Sequence, residues 1–279
     1  MKDETTYDRY PVYRGADLEL TYSPAGSSER VRLRLYGAGE GGGPLLTWPM
    51  DASSDGTWTA ELPGDRKGLF YTFGIFYDGR WLSETPGVRA KAVGVNGDRA
   101  AIVDLRETDP EGWEKDLRPP MSSPTDIVIY EMHHRDLSIA PDSGVKHKGK
   151  YLALTEEGTR SAEGLATGLD HLKELGVTHV HLLPSFDFGS IDESRLQDGV
   201  YNWGYDPKNY FVPEGSYATD PYDPAVRIRE FKQMVRSLHR NGIRVVMDAV
   251  YNHTHRTEES NFSLTVPGYY YRHEADGSF

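Results

Sequence analysis

The hydrophobic pattern changes character once along the chain. Up to about residue 118 the apolar positions alternate: Leu18-Glu-Leu-Thr-Tyr22 and Val31-Arg-Leu-Arg-Leu35 have period two, the mark of strands with one buried face. Phe70 to Tyr77 is an aromatic-rich run that meets Asp78-Gly79, a hairpin turn signal, before Arg80-Trp81. Gly, Pro, Ser and Asp separate these short runs, which predicts a β-sandwich of roughly 100 residues. Pro119-Pro120 and Ser122-Ser123 mark a linker. The expected division is a β-sandwich domain over 1–118, a linker over 119–124 and a second domain over 125–279. The front part is expected to fold by itself.

From Asp126 the texture becomes alternating strand and helix. Ile127-Val-Ile-Tyr130 reads as a first buried strand, ending in Glu131, His133 and His134. Leu165, Leu169, Leu172 and Leu175 form the stripe of a helix that Gly176 stops. Val177 to Leu183 is the second strand, and Ser185 to Asp223 is a long irregular excursion. Pro224 to Arg240 carries Ile228, Phe231, Val235 and Leu238 on one stripe, with Asn241-Gly242 as its stop. Ile243, Val245 and Val246 then make a β-branched strand that fits a buried position in a parallel sheet and closes on Asp248, with Asn252 and His253 following. This order predicts the start of a parallel α/β domain, in which polar groups at the carboxyl ends of strands face the site. The competing reading makes Asp248 a loop cap and His253 an ordinary loop histidine.

Composition narrows the classes of function. With 279 residues, 27% charged and 37% hydrophobic, the chain is globular. A net charge of −12 with no basic stripe argues against a nucleic-acid partner, and no run has the length of a membrane span. The start, MKDETTYDRY, lacks the basic and apolar regions of a signal peptide, so a cytoplasmic location is favoured over a processed secreted form. The absence of cysteine removes disulfide and thiolate chemistry.

Candidate chemistry concentrates in the excursion, at Tyr201-Asn-Trp-Gly-Tyr-Asp-Pro207. Aromatics flank a glycine there, so the backbone can turn sharply and present a flat ring to the C–H face of a sugar, while Asp206 can bond hydroxyls. The plainer alternative is an aromatic plug. Trp48, Trp58 and Trp81 of the front part are likewise either a sugar platform or core filling. His179-x-His181 and His253-x-His255 suggest a metal-dependent hydrolase, but no acidic ligands are placed to match them.

The words YNWGYDP (Tyr201 to Pro207), DAVYNH (Asp248 to His253), THVHLLP (Thr178 to Pro184) and KAVGVNGDR (Lys91 to Arg99) together resemble type I pullulanases of glycoside hydrolase family 13. The resemblance implies a front module of the carbohydrate-binding module family 48 type, followed by the first three βα units of a TIM (β/α)8 barrel. It implies hydrolysis of α-1,6-glucosidic bonds in pullulan, glycogen or amylopectin limit dextrin. Tyr205 would stack on the glucose whose bond is cut, His253 would hydrogen-bond it, and Asp248 would hold the hydrogen-bond network of the site. Asn252 matches a position that supports the loop or ligates calcium, which one amide cannot establish, so no cofactor is expected and no metal is assigned.

The family's nucleophile, within a Gly-x-Arg-x-Asp word, and its acid/base have no match up to Phe279. The chain therefore reads as the front part of an enzyme, cut short or completed by a second polypeptide, and inactive alone, with an apolar barrel face open to water. The alternatives are a non-catalytic α-glucan-binding protein or another α-glucan-active hydrolase of the same family.

Overall fold

The computed structural model describes residues 12–14, 17–22, 30–54 and 56–278, the first two stretches in backbone only. Met1 to Tyr10, read above for a leader, and Phe279 lie outside the described residues. The front part holds β1 (Val12–Arg14), β2 (Asp17–Tyr22), β3 (Arg30–Tyr36), β4 (Leu46–Pro49), β5 (Asp51–Ala52), β6 (Trp58–Leu62), β7 (Phe70–Tyr77), β8 (Arg80–Trp81) and β9 (Ala100–Ala101). They form two antiparallel sheets, in the orders β1-β2-β6-β5 and β4-β3-β7-β8, with β9 also paired to β7. The period-two pattern does what it predicts. Val31, Leu33 and Leu35 of β3 are buried with Ala60 and Leu62 of β6 and Phe73 and Ile75 of β7, so both sheets share one core. Asp78 and Gly79 both have positive φ, as the tight hairpin between β7 and β8 requires.

The second part holds β10 (Ile129–Met132), α1 (His134–Ser138), α2 (Gly168–Leu175), β11 (His179–Leu182), β12 (Phe186–Phe188), β13 (Pro207–Pro213), α3 (Pro224–Arg240), β14 (Arg244–Met247) and α4 (Asn261–Thr265). β10, β11 and β14 pair in parallel in that order, in register Met132 to Leu182 to Met247. Helix α3 has the bounds its stripe predicts. Asp223 caps it by accepting from the Ala225 N–H at 2.9 Å, and Pro224 fills the first turn.

Four sequence expectations shift. β10 starts two residues late, because Ile127 closes a 3-10 turn over Pro124–Asp126. α2 starts at Gly168, since 160–166 form a turn bridged from Arg160 to Ala166; Leu165 is 63% exposed and only Leu169 and Leu172 enter the core. The excursion is not irregular throughout, because β12 and β13 pair in it as an antiparallel hairpin. β14 is not a buried strand: Val246 and Met247 are each 38% exposed, while Val245 packs against the core beside α3. Helices cover the face that carries Val180 and Leu182, whereas Glu131 and Val246 on the other face are exposed.

The linker is not a free tether. Val212 of β13 completes the front core, and Ile228 of α3 packs with Tyr36, Phe70, Ala92, Ala101 and Val103. Lys232 donates to Thr108 Oγ1 at 2.8 Å, His239 meets Asp116 at 2.7 Å and Arg244 Nε donates to the Pro119 carbonyl at 2.7 Å. The expectation that the front part folds alone meets this shared packing, which covers the second face of β7. We predict that Ile228→Ala costs about 2–5 kcal/mol of stability, the range for emptying a core aliphatic. We also expect an isolated 10–117 fragment to melt broadly. A sharp transition in that fragment's thermal melt, at the temperature of the whole protein, would refute the shared-core account.

Candidate active site

The carboxyl ends of β10, β11 and β14 lie on one edge of the parallel sheet, and the ladder continues one step past them. The Leu183 N–H donates to the Met132 carbonyl and the Asp248 N–H to the Leu182 carbonyl. Asp248 is thereby fixed at the sheet edge. Opposite it stands the loop 201–207, whose bend depends on Gly204. That residue has φ +90°, and a Cβ there would lie 2.4 Å from the Pro184 carbonyl oxygen. The Asn202 side chain accepts from the Gly204 N–H at 2.8 Å and its carbonyl lies 2.9 Å from His133 Nε2, while Tyr201 donates to Asp136 at 2.7 Å.

Tyr205 is presented over the edge, 38% exposed, with its hydroxyl donating to Asp248 Oδ2 at 2.7 Å. That bond to a carboxylate pushes its phenol up to about 12, with partial burial adding to the effect. His253 donates through Nε2 to the Tyr205 carbonyl and accepts from Asn252 Nδ2 at Nδ1, 3.0 Å away. A carbonyl can only accept, so the first bond places a proton on Nε2. The structure thus joins Tyr205, Asp248, Asn252 and His253 in one connected set.

Asp206 is turned inward instead. Its Oδ1 accepts from Asn202 at 2.7 Å, and its Oδ2 accepts from Ser190 and lies 3.2 Å from His255 Nδ1. His255 in turn packs on Gly189, where a Cβ would overlap the ring. Among the described residues neither histidine pair belongs to a metal-ligand cluster: His253 and His255 are used as just described, and His179 is buried against Thr178. Of Trp48, Trp58 and Trp81, Trp58 packs on the front core and Trp81 lies under the Arg32 guanidinium at 3.9 Å, whereas Trp48 is 38% exposed.

Sequence reasoning missed a buried group behind this edge. Arg227, fully buried, bonds Asp187 at 3.1 Å and Glu193 at 2.7 Å, and Glu214 lies with those two carboxylates in a cluster whose oxygens are within 4.8 Å of one another. The signal was present: Arg227 precedes Phe231, Met234 and Leu238 at helical spacing, so a cation occupies a core position of α3.

Residues 130–266 match the family model described as the alpha amylase catalytic domain, so the three parallel strands belong to a fold of the alpha-amylase type, on the TIM-barrel architecture. The chain is 46% identical over 231 residues to a Bacillus subtilis pullulanase, covering 83% of this chain and 31% of that protein. It is 34% identical to chloroplastic pullulanase 1 of Arabidopsis thaliana, covering 84% of this chain and 28% of the relative. The solved apo pullulanase of Paenibacillus barengoltzii superposes with a TM-score of 0.93 at 50% identity, covering 98% of this chain and 42% of that one. The chain belongs to the pullulanases of the alpha-amylase family and spans under a third of the length of those two curated relatives.

The Tyr205–Asp248 bond has a spectroscopic readout. We predict that a phenol near 12, isolated as the ultraviolet difference between the protein and its Tyr205→Phe variant, moves back toward the ordinary value near 10 in Asp248→Asn. An unchanged titration would mean that the bond is absent in solution.

Proposed function

We propose that the complete protein is a debranching hydrolase that opens α-1,6-glucosidic bonds in pullulan, glycogen or limit dextrin. The mechanism proposed is retaining, with one carboxylate attacking the anomeric carbon and a second protonating the leaving oxygen, the two roughly 5 Å apart. The observation that carries this reading is Tyr205. Its hydroxyl is committed to Asp248 and its carbonyl to His253, so the ring is held at the strand edge with a third of its surface open. A fixed aromatic face suits a glucose ring, and Paenibacillus barengoltzii pullulanase structures include complexes with maltotriose and maltohexaose.

In this reading Tyr205 stacks on substrate, Asp248 orients it, and Asn252 sets the tautomer of His253. A sugar contact from His253 requires it to give up one of its two present bonds. Asp206, assigned above to substrate hydroxyls, is better supported as the anchor that ties the loop to Ser190, Asn202 and His255. None of these groups is proposed as nucleophile or acid/base. Those two carboxylates are assigned to the rest of the barrel, in the same or a second polypeptide.

For the front part we propose a β-sandwich of the carbohydrate-binding module family 48 type over 1–118, joined through 119–124 to the barrel part over 125–279. The common core of the two sheets supports this, and the packing of Val212 and Ile228 makes it a partner of the barrel. Trp48 is the one tryptophan of this part whose exposure leaves it free for glycan.

The products of pullulan digestion test the substrate. Cleavage of α-1,6 links releases maltotriose, whereas cleavage confined to α-1,4 links gives panose or isopanose and would sink the assignment. We expect residues 1–279 alone to release no reducing ends on long incubation, with binding in a pullulan gel as the sign of a platform without the catalytic pair. Changing Tyr205 to Ala in the complete enzyme should lower kcat/KM by an amount worth about 1–3 kcal/mol, by analogy with other ring-stacking contacts. A variant that melts lower with undiminished turnover would make Tyr205 a plug.

A further inference from the structure

Cations without a carboxylate partner are unexpected in a chain whose net charge is −12. Arg135, Lys148 and Lys150 all line one cavity of about 250 Å³, between the segment after β10 and the turn over Glu193–Asp198. All three are half-buried, and none has a carboxylate oxygen within ion-pair distance among the described residues. The hydrogen bonds of the two lysines go to neutral acceptors: Lys148 Nζ donates to Ser143 Oγ and Lys150 Nζ to the Ser216 carbonyl, each at 2.7 Å. Each ammonium keeps further protons to donate.

Two acids line the same cavity. Asp198 pairs with Arg195 at 2.8 Å, and Asp192 Oδ1 accepts from Ser194 and Asn96. Burial pulls the Lys150 ammonium below its usual range, and Glu230, Glu214 and Glu193 offset that only from beyond contact distance. Gly149, between the two lysines in the chain, lies against Arg135, whose Cγ would be 3.5 Å from a Cβ there. With Arg195 the cavity carries four cations against two acids, so an anion within it would meet a local excess of positive charge.

We propose that this cavity binds a small phosphate-class oxyanion, free or as a compact monoester, and that the bound anion braces the 201–207 loop from behind. The cavity is smaller than the roughly 300–1,000 Å³ of pockets for drug-sized ligands, which favours a small ion over a polymer. A neutral glucan gains nothing from unpaired cations, whereas phosphate forms charge-assisted hydrogen bonds with both lysine and arginine. The bracing follows from the wall of the cavity. His133 and Asn202 both line it, His133 Nε2 lies 2.9 Å from the Asn202 carbonyl, and the Asn202 amide holds Asp206. An anion seated on Arg135 and Lys148 therefore adjoins the hydrogen bonds that set the base of the loop.

Neither part depends on what the loop binds, so the tests read heat and amide exchange in the full-length protein rather than activity. Calorimetric titration with inorganic phosphate, and separately with a hexose monophosphate, is run at constant ionic strength set with sodium chloride. We expect a saturable heat, with affinity about tenfold weaker in Arg135→Gln and in Lys148→Gln, each losing a charge-assisted hydrogen bond. Arg135→Lys, which keeps the charge, should retain binding. Tighter binding of the ester assigns the ligand to that source, and equal binding assigns it to the free ion. No saturable heat with either probe, or unchanged affinity in both glutamine variants with unaltered melting, overturns the site. Slower exchange of the 201–207 amides on adding phosphate supports the bracing, and unchanged exchange at saturating phosphate overturns it.

Discussion

The arrangement depends on one buried guanidinium. Among the described residues Arg227 is the sole cation bonded within a cluster of three carboxylates, and the cluster persists because N–H groups reach every carboxylate oxygen. Asp187 accepts from Arg227 and Asn209, Glu193 from the Gly215 and Asn96 N–H groups and Arg227, and Glu214 from the Phe188 and Ser216 N–H groups. Burial and the neighbouring acids still push Asp187 up to about 6 and Glu214 well above the usual carboxylate range. Such a group adds little net stability against an apolar core, because desolvation offsets its attraction. Its effect is on specificity, since each oxygen has one set of donors that satisfies it.

Those donors come from four places in the chain: the front turn at Asn96, the hairpin of β12 and β13, the 214–216 corner and helix α3. The front turn is locked twice, because the Asn96 N–H donates to Glu193 while Asn96 Oδ1 accepts from the Glu193 N–H, both at 2.8 Å. Gly97 follows, and a Cβ there would lie 2.4 Å from Asp187 Oδ2, so no other residue allows this approach. Lys208 Nζ donates to the Asn96 carbonyl at 2.6 Å, three residues from Tyr205. The KAVGVNGDR word of the front part is thus a docking turn for the hairpin whose near end carries the exposed ring.

What was legible in the sequence follows from how local each cause is. Helix α3 and the β7–β8 turn are written in spacing and turn residues, so their bounds hold. In the edge set, Asp248, Asn252 and His253 were legible as the polar end of a parallel strand, whereas the link of Tyr205 to them was legible only as words of a family. Pairings distant in sequence were not legible. Nothing near Asp206 in the chain announces that His255 and Ser190 will occupy it, and Asp187, Glu193 and Glu214 resemble ordinary surface acids until the fold buries them. β14 failed for the opposite reason: its β-branched run is what an all-buried strand requires, but burial of Val246 and Met247 depends on partners that the run does not encode.

The site edge divides the work of one tyrosine between its parts. The carbonyl of Tyr205 is fixed by His253 and its hydroxyl by Asp248, and the hinge beside it has a backbone that only glycine adopts without strain. A ring held at both ends loses little further freedom when a ligand stacks on it, so more of the contact energy is available for binding. Asp248 is in turn fixed by its own N–H on β11, which makes the strand ladder the ultimate reference for the ring. Position at this edge is therefore inherited from the parallel sheet on one side and from the Arg227 cluster, through the hairpin, on the other. The exposed ring lies where those two supports converge.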